Sequence, residues 1–199
     1  HRSLIEAVTP EGALTLTTEN DMSTGDFAVG DWVLVPKDKR GDARIERRLA
    51  RLTLLERRVA GGDARAQLMG ANIDVLFITS SCNKDFNLAR LERYLILARD
   101  AGIQPVVLLT KADLACDPGS YEAQAQKLDQ MLPVLSLDAR NKDQVDTLLD
   151  WWCAGQTAAL LGSSGVGKTT LLNTLTLATH DTGGIREDDA KGRHTTTAR

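Results

Sequence analysis

The sequence predicts a small N-terminal β-barrel followed by a larger α/β domain built on a parallel sheet. In the N-terminal part, short strand-like segments alternate with turn-forming residues, which is typical of a small barrel or partial barrel. From about residue 72 onward, apolar strand-like segments alternate with amphipathic helix-like segments, which indicates a parallel sheet with helices on both faces. We assign residues 1–58 to the first domain and residues 59–199 to the second.

Four segments of the first domain have the length and composition of strands. They are residues 4–8, 13–17, 31–35 and 45–49. Turn formers separate them, in particular Gly12, the Gly25-Asp26 pair and Gly30. Gly61 and Gly62 then follow as a candidate hinge between the two domains.

The second domain is predicted to contain four strands and four helices. Residues 73–79 are apolar apart from Asp74 and Thr79, as expected for a strand that is buried on both faces. Residues 87–101 carry apolar side chains at helical spacing on one face. The same patterns predict strands at residues 106–109, 134–137 and 157–161, and helices at residues 121–131, 144–152 and 168–178.

The composition argues against several classes of protein. The chain carries 24 Lys and Arg against 27 Asp and Glu and is 42% hydrophobic, which is ordinary for a soluble globular protein. Its apolar runs are short, whereas a membrane-spanning helix needs about 18 consecutive apolar residues. Cys82, Cys116 and Cys153 form no C-x-x-C pair, which argues against a disulfide framework or a self-contained zinc site and favours a reducing cytoplasm.

The strongest motif is the run GSSGVGKT at residues 162–169, which fits the phosphate-binding P-loop pattern G-x-x-x-x-G-K-[ST]. It lies between a predicted strand and a predicted helix, so that main-chain N–H groups and the helix N-terminus converge on a phosphate. Lys168 would reach the β- and γ-phosphates, and the Thr169 hydroxyl would bind Mg²⁺. The alternative is a Gly- and Ser-rich turn without a ligand. The predicted phosphate-site residues are Gly162, Ser163, Ser164, Gly165, Val166, Gly167, Lys168, Thr169 and Thr170.

A second motif suggests that the bound base is guanine. Thr110, Lys111, Ala112 and Asp113 directly follow a predicted buried strand and fit the N/T-K-x-D pattern of GTPases. An aspartate at this place accepts hydrogen bonds from the N1–H and the exocyclic amine of guanine, for which adenine has no matching donors. Ser136 and Leu137 are the candidates for a third base-contacting loop. The alternatives are a strand that ends in a polar turn, and a P-loop ATPase or kinase in which this match is accidental.

The order of the two motifs is unusual, because the base motif precedes the P-loop in this chain. Ordinary GTPases have the reverse order, so the sequence predicts a circularly permuted GTPase, which a fold tolerates when its original termini lie close together. After the P-loop, Thr195 or Thr196 is placed to complete the Mg²⁺ shell as part of a switch loop. His194 beside them is a candidate for positioning the attacking water. The alternative is a flexible polar tail.

Several motifs together resemble the ribosome small-subunit-dependent GTPase A family, over nearly the whole chain. They are the runs VGDWV at 29–33, ANID at 71–74, RYL at 93–95, TKAD at 110–113, GSSGVGKTTLLNTL at 162–175, RED at 186–188 and GRHTTT at 192–197. The resemblance implies an N-terminal OB-fold, a circularly permuted GTPase domain and a C-terminal zinc-binding domain. It also implies a monomeric cytoplasmic factor, not membrane-bound, that binds Mg²⁺ with GTP or GDP and hydrolyses GTP on the small ribosomal subunit late in its maturation.

The resemblance also gives a role to the basic stretch at residues 37–65, which holds ten basic and five acidic residues. It implies that Arg47, Arg48 and Arg51 contact rRNA, since phosphate charge supplies much of the affinity for nucleic acid. The alternative is a solvated, salt-bridged face. Two further functions stay open: a nucleotide-gated RNA-binding module with negligible hydrolysis, and another circularly permuted ribosome-assembly GTPase.

The sequence departs from the family pattern in three respects. Thr110 stands where the family usually has Asn, which implies a weaker side-chain tie to the P-loop. Asp181 to Gly184 matches the letters of the second Mg²⁺ motif, D-x-x-G, but directly follows the P-loop helix, so we interpret it as a turn. The zinc ligands are also absent, so we expect the natural protein to continue past Arg199 and to bind Zn²⁺ only in that further part.

Overall fold

A computed structural model describes residues 4–18, 22–36, 43–58 and 66–176. The described residues divide into two compact units, one that ends at Ile73 and one that begins at Asp74. Residues 54–58 and 66–71 pair with each other and therefore belong to the same unit. The domain boundary between residues 58 and 59 stays a prediction.

The N-terminal unit consists of three antiparallel strand pairs in its described part. Strand β1 (Leu4–Thr9) pairs with β2 (Gly12–Thr17), and Gly12 adopts a φ of +125° where the chain reverses. Strand β3 (Val33–Leu34) pairs with β4 (Arg47–Arg48), and β5 (Leu54–Arg58) pairs with β6 (Ala66–Ala71). All four predicted strands are thus present, but β3 and β4 have only two residues each. The β5–β6 hairpin was not predicted.

Hydrogen bonds from Asn72 and Thr53 hold the loops of this unit together. Asn72 has a φ of 55°; its side chain donates to the Gly30 carbonyl and accepts from the Leu52 N–H. The Thr53 hydroxyl bonds to both main-chain groups of Ile73 at 2.8 Å. Among the described residues of the unit, the buried apolar side chains are Leu16, Ile45, Leu55, Ala71 and Ile73.

The described residues of the second unit form a four-stranded parallel sheet, as the sequence predicts. Its strands are β7 (Val75–Ser81), β8 (Gln104–Thr110), β9 (Val134–Ser136) and β10 (Ala158–Gly162), and their order across the sheet is β10-β7-β8-β9. The chain moves outward from β7 to β9 and then returns to the other side of β7. In open α/β sheets, ligands bind at the carboxyl ends of the strands beside such a reversal.

The described residues of this unit form four α-helices. They are α1 (Leu88–Asp100), α2 (Pro118–Gln126), α3 (Lys142–Asp146) and α4 (Lys168–Thr176). The helix predicted at residues 121–131 begins and ends earlier, at Pro118 and Gln126. Asp117 caps it, and a proline is well tolerated in the first turn of a helix. The helix predicted at 144–152 is instead the short α3 followed by a 3₁₀ turn, Thr147–Asp150.

Side chains of the sheet and the following elements form a continuous apolar core in this unit. Phe77 of β7 lies at its centre and meets Trp152 edge-to-face, with ring centroids 5.3 Å apart. The other buried members are Val75, Val106, Leu108, Leu137, Ala139, Val145, Leu148 and Leu171. Because Leu171 belongs to α4, this core fixes the helix that follows the P-loop against the sheet.

Candidate nucleotide-binding site

The P-loop sequence forms a tight turn between β10 and α4, at the carboxyl edge of the sheet. Gly165 and Gly167 have φ values of 79° and 91°, in the left-handed region that favours glycine. Gly162 is required for another reason: a Cβ there would lie 2.2 Å from the Thr79 carbonyl oxygen of β7. Two of the glycines thus shape the loop, and the first one lets β10 pair closely with β7.

Lys168 folds back over this loop. Its Nζ donates to the carbonyl oxygens of Gly162, at 3.0 Å, and Ser163, at 2.5 Å. Burial lowers the pKa of Lys168 from its ordinary value, because desolvation disfavours the ammonium. An anion bound in front of the loop would stabilise the charged ammonium and so counteract the lowering of its pKa. The position of Lys168 therefore suits a phosphate ligand.

The remaining P-loop residues lie in the same turn. Val166 is buried, and Thr169 and Thr170 occupy the first turn of α4 beside Lys168. The Thr169 hydroxyl is an oxygen ligand of the type that Mg²⁺ prefers, and P-loop proteins complete the shell with phosphate oxygens. Thr169 therefore fits an Mg²⁺ site. Within the described ranges, no cluster of three or more His, Cys, Asp or Glu side chains could hold a metal ion.

The base motif lies directly beside the P-loop. The Thr110 hydroxyl, at the end of β8, is 2.5 Å from the Val166 carbonyl oxygen and 3.0 Å from that of Ser80. A hydroxyl has one proton, so the shorter contact to Val166 is the stronger donor bond. A side-chain tie between the two motifs is therefore present with Thr in this place.

The main chain then turns sharply and presents Asp113. Lys111 adopts a left-handed φ of 58°, and Ala112–Leu114 form a 3₁₀ turn. The Asp113 carboxylate accepts from Arg140 Nη2 at 2.7 Å, and its side chain is 26% exposed. The carboxylate that would recognise guanine is thus held in place and still partly accessible.

Arg140 and Asp138 were not singled out by the sequence, although they belong to this part of the site. They lie in the loop after β9, and Arg140 Nε donates to Asp138 at 3.0 Å. This hydrogen bond lowers the pKa of Asp138 and raises that of Arg140 from their ordinary values. Arg140 thereby links the loop after β9 to the base motif after β8.

The two residues predicted for the third base-contacting loop lie just before this link. The Ser136 hydroxyl bonds to the Glu122 carboxylate of α2, and the Leu137 side chain is buried in the apolar core. The Leu137 carbonyl oxygen accepts from the Ala112 N–H at 3.4 Å. Only the main chain of Leu137 therefore adjoins the base motif, and a base contact from either residue stays a prediction.

Arg90 of α1 was also missed by the sequence reasoning. Its Nη1 donates to the Ser163 hydroxyl of the P-loop at 2.5 Å. The two residues are 73 positions apart, so only the fold brings them together.

The three arginines predicted to bind RNA lie in the N-terminal unit and differ in their surroundings. Arg51 is 13% exposed and donates twice to the Asp31 carboxylate, both at 2.7 Å, and once to the Asp26 carbonyl. Arg48 is 35% exposed and lies 3.9 Å from Asp31, and Arg47 is exposed. Arg51 is therefore held by contacts within this unit, whereas Arg47 and Arg48 are more exposed, and RNA contact by any of the three stays a prediction.

The predicted switch residues His194, Thr195 and Thr196, and the turn that begins at Asp181, lie outside the described residues. In the part of the chain that the structure describes, no helix is long and apolar enough to cross a membrane.

Comparison with known proteins gives a consistent result. The RsgA GTPase family model matches residues 48–199. The chain is 52% identical to the small ribosomal subunit biogenesis GTPase RsgA of Mesorhizobium japonicum and 43% identical to RsgA 2 of Vibrio parahaemolyticus. These alignments cover the whole chain but only 58% and 54% of the relatives, so the chain spans little more than half their length.

Two solved structures share the fold. The chain resembles YjeQ from Thermotoga maritima with a TM-score of 0.66 and 21% identity, over 88% of this chain and 62% of that one. It resembles YloQ, described as a circularly permuted GTPase, with a TM-score of 0.58 and 21% identity, over 85% of this chain and 59% of that one. These matches confirm the predicted fold class: a small β unit followed by an α/β GTPase domain with permuted motif order.

Proposed function

Because this chain belongs to the RsgA GTPase family, we propose that it binds guanine nucleotides and hydrolyses GTP during maturation of the small ribosomal subunit. One observation carries the proposal: the hydrogen bond from Thr110 to Val166, which joins the base motif to the P-loop within one unit. A single nucleotide can span two motifs that are tied in this way. Its base would lie at Asp113 and its phosphates at Lys168.

Base recognition would depend on the Asp113 carboxylate. It would accept hydrogen bonds from two guanine donors, and Arg140 would hold it in place by donating to Oδ2. Each carboxylate oxygen has room for more than one donor, so the contact with Arg140 is compatible with guanine. The alkyl stem of Lys111 would lie along the plane of the base.

Phosphate binding and hydrolysis would depend on the P-loop. Its main-chain N–H groups and Lys168 would stabilise charge on the phosphates while a water molecule attacks the γ-phosphorus in line and the bond to the β-phosphate oxygen breaks. Mg²⁺, when bound by Thr169 and the phosphates, supplies further charge stabilisation. His194 as the water-positioning residue, and Thr195 or Thr196 as a second Mg²⁺ ligand, belong to the same proposal.

The N-terminal unit would supply contact with rRNA. Exposed arginines such as Arg47 and Arg48 attract phosphate, and this contribution weakens as salt rises. Arg51 would act indirectly, by holding Asp31 and the loops of the unit. We place the protein in the cytoplasm, acting as a monomer on the small subunit, with zinc bound only by a further C-terminal part.

The decisive experiment is GTP turnover by the full-length protein with small subunits, with large subunits and alone. We expect turnover to rise with small subunits, and Lys168→Ala to lose nearly all of it. Nucleotide-dependent subunit binding without added turnover would instead favour a nucleotide-gated RNA-binding module. Equal competition by ATP for labelled GDP would contradict the guanine assignment.

A further inference from the structure

Arg90, on the first turn of α1, contacts the P-loop from the neighbouring helix. Its Nη1 lies 2.5 Å from Ser163 Oγ and 3.5 Å from the Asp85 carbonyl oxygen. The carbonyl oxygen of the same Ser163 accepts from Lys168 Nζ at 2.5 Å. Two cationic side chains therefore meet at one residue of the loop, Arg90 at its hydroxyl and Lys168 at its main chain.

Among the described residues, no acidic side chain forms an ion pair with Arg90. Within the described part of the chain it forms no ion pair, and its Nε and Nη2 make no hydrogen bond. Asp85 does not neutralise it, because the contact is to the Asp85 main chain, and Asp85 Oδ2 is itself buried without a partner among the described residues. Several N–H groups of a planar guanidinium, which suits phosphate, thus stay available beside the P-loop.

The position of Arg90 in its helix is unfavourable for a cation. Asn87 caps α1 and accepts from the Arg90 N–H, which makes Arg90 the third helical residue. Glu or Gln is preferred there, because the N-terminus of a helix carries a partial positive charge. The stability of α1 therefore does not explain this arginine, whereas an anion in front of both the helix and the loop would.

We propose that Arg90 is a second cation of the phosphate site, anchored on Ser163, that contacts the terminal phosphate and favours GTP over GDP. The inference rests on the proposed function, which supplies the nucleotide. In a P-loop the lysine reaches the β- and γ-phosphates. A guanidinium anchored on the residue that this lysine also contacts would be within reach of the γ-phosphate, so its loss should affect the triphosphate more than the diphosphate.

The test is the affinity of the full-length protein for GDP and for a non-hydrolysable GTP analogue, measured by fluorescence titration. Arg90→Ala should weaken the GTP analogue by about tenfold or more, as expected for a lost charge-assisted bond, and GDP by less than about threefold. Arg90→Lys keeps the charge without the planar fork and should fall between. Arg99→Ala, which removes the same charge from the last turn of the same helix, is the matched control and should leave the ratio of affinities unchanged.

The outcomes separate this inference from the proposed function. If Arg90→Ala leaves both affinities unchanged, or weakens both equally, Arg90 does not contact the terminal phosphate. If Arg90→Ala fails to fold, Arg90→Gln keeps a donor for Ser163 while removing the charge, and it should show the same selective loss. If the parent protein binds neither nucleotide, the proposed function fails, and the role of Arg90 fails with it.

Discussion

The Thr110 hydroxyl donates to the Val166 carbonyl oxygen and so joins the end of β8 to the P-loop across 2.5 Å. Both residues are buried, and the bond spans 56 positions of the chain. The base motif and the P-loop are therefore linked directly by a side chain, although they are separate patterns in the sequence.

Thr110→Val should test this link, because valine has nearly the same shape and no donor. We expect the free energy of unfolding to fall by about 1–3 kcal/mol, since the buried Val166 carbonyl loses its partner. GDP affinity should fall as well, because the P-loop is no longer held against β8. Urea unfolding and GDP titration measure the two effects. Thr110→Ser retains the hydroxyl but loses the methyl group, and it should lose less of both. Unchanged stability and GDP affinity in Thr110→Val would show that the hydrogen bond to Val166 does not matter.

Gly162→Ala should destabilise the second unit without any involvement of nucleotide. The added Cβ would lie 2.2 Å from the Thr79 carbonyl oxygen, so β10 must move away from β7. We expect the free energy of unfolding to fall by about 1–3 kcal/mol, which is the usual effect of overpacking. Gly119→Ala is the matched control. Gly119 lies in the first turn of α2, and a Cβ there would meet only Asp117 Oδ1, at 3.4 Å. The control should leave the free energy of unfolding unchanged or raise it by up to about 1 kcal/mol, because alanine favours a helix more than glycine does. Similar stabilities of the two variants would contradict the close approach.

The Asp31–Arg51 ion pair predicts a mutational effect in the N-terminal unit. Asp31 is 4% exposed and Arg51 13%, so Arg51→Ala would leave a buried carboxylate with its main partner removed. We expect a loss of about 3–5 kcal/mol in the free energy of unfolding. Arg48→Ala removes a more exposed arginine 3.9 Å from the same carboxylate and should cost far less. Equal effects of the two variants would show that the geometry of the Arg51 pair is not important.

The same pair predicts a dependence on pH. Burial raises the pKa of Asp31, but hydrogen bonds from Arg51 and Ala28 and the charges of Arg51 and Arg48 outweigh it, so the pKa is lowered from its ordinary value. The ionised carboxylate therefore stabilises the folded state at pH values above its unfolded pKa, and this contribution is lost as the pH falls through the lowered folded pKa. Urea unfolding between about pH 6 and pH 3 should show a fall in the free energy of unfolding for the parent protein, and a smaller fall for Asp31→Asn. Parallel curves for the two proteins would contradict the shift.

Asp113→Asn should change the preferred nucleotide. The substituted amide presents a donor to one of the guanine donors, so GTP affinity should fall by roughly two decades or more. Xanthine has a carbonyl where guanine has its amine, so XTP should bind better to the variant. Competition of labelled GDP by GTP, XTP and ATP measures the exchange. Unchanged GTP affinity with no gain for XTP would show that Asp113 does not read the base.

The parallel sheet could be predicted because β7 and β8 are apolar runs that are buried on both faces. The β5–β6 hairpin could not, because the sequence LLERR lacks a clean alternation and AQLMGA contains no β-branched residue. Pairing with each other, not local propensity, makes these segments strands.

The motif residues of the site could be predicted from short patterns, but the residues that support them could not. Arg140 reaches Asp113 over 27 positions, and Arg90 reaches Ser163 over 73. Arg51 belongs to a basic run in the sequence, and only its contact with Asp31, 20 positions away, reveals a structural role. Such pairs depend on tertiary proximity, which a single sequence does not encode in any local pattern.

The strand order β10-β7-β8-β9 has a consequence for folding during synthesis. Strands β7, β8 and β9 leave the ribosome before β10 and can associate in sequence, together with the base motif that follows β8. The free edge of β7, which is buried along its whole length in the finished sheet, stays uncovered until β10 emerges. An uncovered apolar edge is prone to pair with other chains. Nascent chains halted before residue 158 should therefore need chaperones, and nucleotide can protect the protein from aggregation only after β10 and the P-loop have been made.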